Sequence, residues 1–371
     1  MSQIRLTYCG NVHAAQNLPE WLDGVARFAV AVGREQPGPF GLGAWWNADV
    51  ARELAGGGAA LEAVRARLEE LGLSIWTLNV FPFGVFHGER VKEAVYSPDW
   101  AHPDRLRYTL DAAEAVAALA APGEVVPMST LPVGYGEIDR PAAARQLVAA
   151  AVGLADIEAR TGVRCVLALE PEPFCVLETA GQAADYLEGE VFTISGSGAT
   201  EATLRRHLGV CIDLCHLAIV REDPLQAMTS LQARGIEVPK LQVSSCLELR
   251  DPAGLSSLLE FDEPCYLHQT VADSGLRALD LPEVRDRAGE FGQAGTLRTH
   301  FHMPIFWDGA GALGSTRSEV ERVLAGLGDR PPLLEVETYT WHVLDREMVG
   351  EQGLVEGLCR ELAFARSRLE G

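Results

Sequence analysis

The stretch Leu208-Gly209-Val210-Cys211-Ile212-Asp213-Leu214-Cys215-His216 is an apolar run that ends in a carboxylate and, three residues later, an imidazole. A short apolar run is typical of a buried strand, and the polar residues that follow it lie where the strand leaves the core. Three other segments repeat this order of strand first and acid or imidazole next, namely 167–172, 298–302 and 333–337. Four such segments that converge predict an active site.

Short apolar runs alternate with segments of helical periodicity along the chain. The strand-like runs lie near residues 4–9, 40–46, 74–81, 124–131, 164–170, 209–214, 239–245 and 332–338. The helical segments lie near 19–32, 49–71, 104–121, 140–161, 181–190, 222–234, 317–327 and 346–368. This alternation predicts an α/β fold with a parallel sheet, and eight repeats favour closure into a (β/α)8 TIM barrel. An open doubly wound sheet is the alternative, but no GxGxxG follows the first strand.

We expect a single barrel domain over residues 1–371, with two long connections. The first, over 82–103, follows the third strand, and the second, over about 247–316, follows the seventh. A ninth strand-like run at 297–303 does not fit the count of eight, so we assign it to the second connection. Prolines and glycines punctuate that region, as expected of an elaborated loop.

The charge and apolar content of the chain exclude several function classes. The formal net charge is −21, and such a field repels phosphate backbones, so we expect no nucleic-acid partner. No apolar run reaches about 18 residues, so we expect no direct membrane insertion. The N-terminus lacks the features of a signal peptide, which favours a cytoplasmic protein. The eight cysteines form no CxxC pair, which disfavours a zinc-finger type of site.

Acids and an imidazole at the predicted strand ends are candidate metal ligands. Glu170, Asp213 and Glu335 end the fifth, sixth and eighth strands, and His302 lies in the connection that covers the same mouth. In a barrel the carboxyl ends of the strands share one mouth, so these side chains should meet there. A mixed set of oxygen and nitrogen ligands suits Mn, Mg or Zn, and the sequence does not decide among them.

Each of these positions has an alternative interpretation. Asp213 could simply cap the next helix, and Glu170 could form a buried ion pair with an arginine. Residues two apart share a strand face, so Glu172, Glu337 and His300 could replace Glu170, Glu335 and His302.

Several side chains near the predicted mouth are candidate substrate contacts. Aromatic residues there suggest an apolar wall, namely Trp45, Trp46, Phe81, Phe83, Phe86, Trp307, Tyr339 and Trp341. Asn79, His87 and Arg90 are polar candidates beside it. Singly, each aromatic residue is more often core packing than a substrate contact.

The segments Glu170-Pro171, Asp213-x-x-His216, His300-x-His302 and Leu334-Glu335 together resemble the xylose isomerase-like TIM-barrel superfamily, which includes sugar and sugar-phosphate isomerases and epimerases. Within it the chain looks most like EboE-type metabolite traffic proteins. The stretches that carry this closer likeness are 6–13, 77–92, 129–132 and 169–173.

The resemblance implies metal binding by Glu170, Asp213 and Glu335. It also implies that the two glutamates exchange a substrate proton at a carbon next to a carbonyl, while His216 contacts the substrate. The epimerases of this superfamily place a metal-binding histidine at the end of strand seven, where this chain has Gln242. Gln242 can supply only a neutral oxygen to metal or substrate. Alternatively, His302 takes the missing position as a metal ligand.

Three hypotheses follow for the function. The first is a divalent-metal-dependent isomerase or epimerase of a small hydroxy-carbonyl or sugar-like metabolite, with Trp341, Asn79, His87, Gln242 and His216 contacting the substrate. The second is a non-catalytic carrier that works with other proteins of a secondary-metabolite export system, as the EboE-type likeness implies. The third is a Schiff-base lyase that uses Lys240, one of only two lysines in the chain.

Overall fold

Eight short parallel strands form a closed barrel in the computed structural model, which describes residues 4–84, 86, 91–194, 199–344 and 353–369. The barrel strands are β1 (Leu6–Tyr8), β2 (Gly41–Trp45), β3 (Ser74–Asn79), β4 (Val125–Thr130), β5 (Arg164–Leu169), β6 (Leu208–Val210, continued by Ile212–Asp213), β7 (Lys240–Val243) and β8 (Leu333–Val336). Strand β8 pairs with both β7 and β1, and a bridge between Cys9 and Gly43 joins β1 to β2. The predicted TIM barrel is therefore confirmed.

An antiparallel side sheet lies in the connection between β7 and β8. Its six strands are Ser245–Leu249, Thr270–Ala272, Arg277–Ala278, Leu297–Met303, Gly309–Ala310 and Leu313–Ser315. The run predicted at 297–303 is an inner strand of this side sheet. It is not a barrel strand, in agreement with its assignment to the second connection. A separate apolar cluster that includes Leu249, Phe291 and Met303 packs the sheet.

Helices connect the barrel strands. The longer described helices are Leu18–Gly24 with its continuation to Arg34, Ala48–Ala55, Gly58–Leu71, Pro103–Leu119, Arg140–Thr161, Ala180–Tyr186 with its continuation to Val191, Pro224–Ala233, Arg317–Gly326 and Leu354–Leu369. Short helices that the periodicity did not predict are Glu201–His207, Leu214–Ile219, Leu255–Leu258, Leu281–Asp286 and Ala288–Phe291. None of the helices within the described ranges is long and apolar enough to cross a membrane.

The helix predicted over 49–71 is instead two helices, because the chain turns at Gly57. This residue has a φ of +67°, which is left-handed backbone that glycine adopts at little cost. The break lies outside the barrel and leaves the strand order unchanged.

A buried ion pair lies inside the barrel. Lys240 Nζ on β7 is 2.5 Å from Glu335 Oε2 on the neighbouring strand β8, and both side chains are fully buried. Lys240 Nζ also donates a hydrogen bond to Ser129 Oγ at 3.1 Å. The carboxylate fits only because β2 has a glycine opposite: a Cβ on Gly43 would lie 1.7 Å from Glu335 Oε1.

We therefore expect Gly43→Ala to destabilise the barrel by about 1–3 kcal/mol, since the added methyl group overpacks the ion pair. Gly189→Ala is the matched control, because a Cβ there meets no atom within 4 Å. Urea unfolding of both variants measures the difference. Equal stability of the two variants would show that Gly43 is not needed for close packing.

Candidate functional site

Asp213, at the end of β6, uses its two carboxylate oxygens differently. Asp213 Oδ1 accepts hydrogen bonds from the backbone N–H of His216 at 2.9 Å and from Ser244 Oγ at 2.8 Å. Asp213 Oδ2 is buried and has no hydrogen-bond partner. Burial alone would raise the pKa of Asp213, but the nearby His216 and His302 and these hydrogen bonds lower it overall. Asp213 therefore caps the helix Leu214–Ile219 and keeps one oxygen for a ligand.

Two glutamates bring their carboxylates to Asp213. Glu170 follows β5, Glu337 follows β8, and one oxygen from each of the three acids lies within 4.8 Å of the others. Glu170 Oε2 is buried without a hydrogen-bond partner. Burial, together with repulsion by Glu337 and Asp213, raises the pKa of Glu170 well above its ordinary value. Burial and repulsion by Asp213 and Glu335 raise the pKa of Glu337 to about 8.

His302 reaches the same cluster from the side sheet. Its Nδ1 lies 2.7 Å from the backbone carbonyl oxygen of Glu337, so Nδ1 carries the proton and Nε2 is left with a lone pair. His302 Nε2 is buried and has no hydrogen-bond partner. Burial lowers the pKa of His302 to about 4, so the ring is neutral near pH 7, which is the form that binds metal ions.

These residues fit a divalent cation. Three of the donor atoms, on Glu170, Asp213 and His302, are buried and lack partners. A buried polar atom without a partner costs about 1–3 kcal/mol, and three adjacent carboxylates also repel one another. A cation offsets both costs. Three carboxylate oxygens and one neutral imidazole nitrogen suit manganese, magnesium or zinc.

A second polar layer is built around Glu172. Glu172 Oε1 accepts hydrogen bonds from Tyr96 OH at 2.6 Å and from Gln269 Nε2 at 3.2 Å. His300 Nδ1 lies 2.8 Å from Gln269 Oε1 and 3.4 Å from Glu172 Oε1. Burial raises the pKa of Glu172, although His216 and the two hydrogen bonds oppose the rise. This network fixes His300 beside the carboxylate cluster.

His216 joins the two layers. Its Nδ1 lies 3.0 Å from the carbonyl oxygen of Pro171, and its Nε2 lies 3.2 Å from His300 Nε2. Because the Nδ1 atoms of both rings face oxygen acceptors, the two Nε2 lone pairs face each other. That contact is repulsive unless the rings share a proton or a cation, and it therefore suits a site for a polar ligand.

A cavity that opens to solvent lies over these layers. Its polar side includes Asn11, Asn79, Glu170, Glu172, His216 and Glu337. Its apolar side includes Phe81, Phe86, Val95, Tyr266, Leu267 and Tyr339. The cavity thus contains Asn79 and His216, two of the residues predicted to contact substrate, and part of the predicted aromatic wall.

Glu335, Gln242 and Lys240 lie away from this cavity. Within the described ranges, Glu335 belongs to none of the groups of potential metal ligands, and its carboxylate is paired with Lys240. Gln242 is fully buried beside Asp213 and Glu335 on the neighbouring strands, and neither of its amide atoms has a hydrogen-bond partner. Burial lowers the pKa of Lys240, but the combined attraction of Glu335, Cys211, Cys9 and Glu170 raises it overall. Its amine is therefore a poor nucleophile for a Schiff base.

The two remaining predicted substrate contacts are Trp341 and His87. Trp341 donates a hydrogen bond from Nε1 to Glu361 Oε2 at 2.9 Å, and its ring packs against Gly357 of the last helix. It anchors that helix and does not line the cavity. His87, like its neighbour Arg90, lies outside the described residues.

The cavity residues that were not predicted as contacts from the sequence include Tyr96, Gln269, Lys92 and Tyr266. These four lie in the two long connections, where sequence periodicity does not predict which way a side chain points. Asn11 belongs to a stretch that carries the family likeness, but it was not predicted as a site residue. Its Nδ2 donates a hydrogen bond to Glu337 Oε1 at 2.7 Å. Its position just after β1 is the signal that could have identified it.

Comparison with known proteins supports the fold. The family described as xylose isomerase-like TIM barrel matches residues 41–246. A search of curated proteins finds no match. Among solved structures, the IolI protein with a bound zinc atom is similar, with 13% identity, a TM-score of 0.50, and coverage of 99% of this chain and 98% of that one.

Two epimerase structures show a weaker likeness. The structure of an L-ribulose 3-epimerase has 13% sequence identity to this chain and a TM-score of 0.46, and the alignment covers 99% of this chain and 95% of that one. A D-tagatose 3-epimerase-like protein has 12% identity and a TM-score of 0.47, with 99% and 97% covered. Because the family match spans more than half of the chain, this protein belongs to the xylose isomerase-like TIM-barrel family.

Proposed function

We propose that the protein is a divalent-metal-dependent isomerase or epimerase that acts on a small hydroxy-carbonyl compound. The observation that carries the proposal is the convergence of Glu170 and Glu337 on Asp213, which His302 also approaches. Buried atoms of Glu170, Asp213 and His302 lack the partners that a cation would provide. Membership of the xylose isomerase-like family supports this assignment, and the zinc atom bound by the similar IolI protein supports a metal.

These four residues would hold the metal. When bound, a divalent cation polarises a substrate carbonyl and makes the neighbouring carbon more acidic. The resemblance implies that Glu335 binds the metal and exchanges the proton. We assign these roles to Glu337 instead, because Glu335 is paired with Lys240. The metal-binding histidine expected at the end of β7 is Gln242 in this chain, and His302 would supply the imidazole ligand in its place.

The carboxylates of Glu170 and Glu337 are then the groups that remove and return the substrate proton. Asn11 and Asn79 orient Glu337, since their Nδ2 atoms lie 2.7 and 3.3 Å from its Oε1. His216 and Glu172 line the cavity beside this pair, where they would contact substrate hydroxyl groups.

A carrier without turnover is the second candidate function. It is favoured by the ion pair that engages Glu335, one of the two glutamates expected to exchange the proton. In that case the protein would be an EboE-type metabolite traffic protein of the cytoplasm, which holds a metabolite that partner proteins export. Both candidates need the same cavity and differ in whether a proton is exchanged.

Glu337→Gln should lower Mn²⁺ affinity at least about tenfold, because it removes a charged ligand and leaves the side-chain shape unchanged. Glu335→Gln, two residues away on the same strand, should change Mn²⁺ affinity less than about threefold. Electron paramagnetic resonance titration of free Mn²⁺ measures both. The reverse order of the two effects would restore Glu335 as the ligand.

Glu335→Gln leaves the buried Lys240 amine without its charge partner, which costs about 3–5 kcal/mol. The double variant Lys240→Met with Glu335→Leu removes both charges and keeps the volume, so it should fold better than the single variant. It should also bind Mn²⁺ like the wild type. Lost binding in a folded double variant would contradict the assignment to Glu337.

Metal binding should also depend on pH. The pKa of Glu337 is raised from 4.5 to about 8, so the metal-free folded protein holds a proton there that the unfolded chain releases. The stability of the metal-free protein should therefore fall as pH rises through the range from about 4.5 to about 8. Mn²⁺ affinity should rise over the same range, with release of protons. Melting temperatures with and without Mn²⁺ at several pH values test both signs.

Proton exchange separates an enzyme from a carrier. The Mn²⁺-loaded protein should catalyse incorporation of deuterium from D₂O into hydroxyacetone at the carbons next to the carbonyl, as followed by ¹H NMR. Glu170→Gln should abolish the catalysed exchange, because it removes a base. A protein that binds Mn²⁺ and the ketone without exchange above the protein-free rate is a carrier.

A further inference from the structure

We infer that the substrate carries an apolar group on the side away from its metal-binding oxygens. This inference rests on the proposed function and names its substrate class. It is supported by a cluster of aromatic rings that lines the cavity together with the carboxylates.

The apolar face is continuous and built from rings. Phe86 packs against Tyr266 at a ring-centroid distance of 5.2 Å and against Tyr339 at 5.5 Å, and the two tyrosines lie 4.9 Å apart. Val95 and Leu267 extend this surface within the same cavity. A hydrocarbon group that packs against these ring faces is removed from water, which favours its binding.

Polar groups of the cavity are concentrated at the metal face. Asn11 and Asn79 are engaged by Glu337, and Tyr96 and Gln269 by Glu172. The oxygens of a substrate can therefore be recognised beside the carboxylates, where these polar groups lie. This arrangement fits one hydroxy-carbonyl end and one hydrocarbon end.

No cation in the described part of the lining is available to a phosphate. Lys92 is the one lysine or arginine among those lining residues, and its Nζ forms an ion pair with Asp280. Asp280 is itself fixed, because its Oδ1 accepts hydrogen bonds from the backbone N–H groups of His268 and Leu281. The other charged lining groups are glutamates, which repel a phosphate dianion.

A matched series of hydroxyketones tests the inference. Hydroxyacetone, dihydroxyacetone, dihydroxyacetone phosphate and 1-hydroxy-3-phenylpropan-2-one share one metal-binding end and differ only in the group on the third carbon. Their dissociation constants from the Mn²⁺-loaded wild-type protein can be measured by paramagnetic broadening of the ligand NMR lines. The phenyl compound should bind at least about tenfold more tightly than the other three, because burial of a ring is favourable.

Two variants of the apolar face localise the effect. Val95→Thr keeps the side-chain shape and should weaken the phenyl compound about threefold or more, with unchanged affinity for Mn²⁺ and dihydroxyacetone. Leu267→Asn should also weaken binding of the phenyl compound. It replaces Val95→Thr as the test if that variant does not fold.

The outcomes separate this inference from the proposed function. If Mn²⁺ binds but the phenyl compound is not preferred, or its preference survives in both folded variants, the inference is overturned and the metal site stands. If Mn²⁺ does not bind to the wild-type protein, the proposed function and this inference fail together.

Discussion

The buried ion pair between Lys240 and Glu335 determines how the interior of this barrel is arranged. It places a lysine and a glutamate in full burial, where each is tolerated only because the other is present. It requires a glycine at position 43 to make room for the carboxylate. Since Glu335 is engaged there, the next residue on the same face, Glu337, becomes the acid that β8 presents to the cavity.

The cluster above the pair has the opposite character. Among the described residues, Glu170, Asp213 and Glu337 lie together and form no ion pair with a lysine or arginine, and His302 presents an unprotonated nitrogen to Asp213. Charges of one sign are collected in a buried place only at a cost in stability. Buried carboxylates with raised pKa values beside a cavity are typical of functional sites, and a divalent cation is the simplest partner for these donors.

The sequence predicts the barrel and most of the cluster because both depend on local periodicity. Alternation of strands and helices requires a parallel sheet, and acids at strand ends then share one mouth, which identified Glu170, Asp213 and His302. The choice between Glu335 and Glu337 could not be made this way, since the two share a face and the decision depends on Lys240 of the neighbouring strand. Trp341 shows the same limit, because its hydrogen-bond partner, Glu361, belongs to the last helix.

Zinc anomalous diffraction from crystals of the protein would locate the metal. We expect one strong peak at about 2.0–2.2 Å from carboxylate oxygens of Glu170, Asp213 and Glu337 and from Nε2 of His302. A peak bound to Glu335, or the absence of zinc from this cluster in crystals that contain it elsewhere, would show that these four residues do not form the metal site.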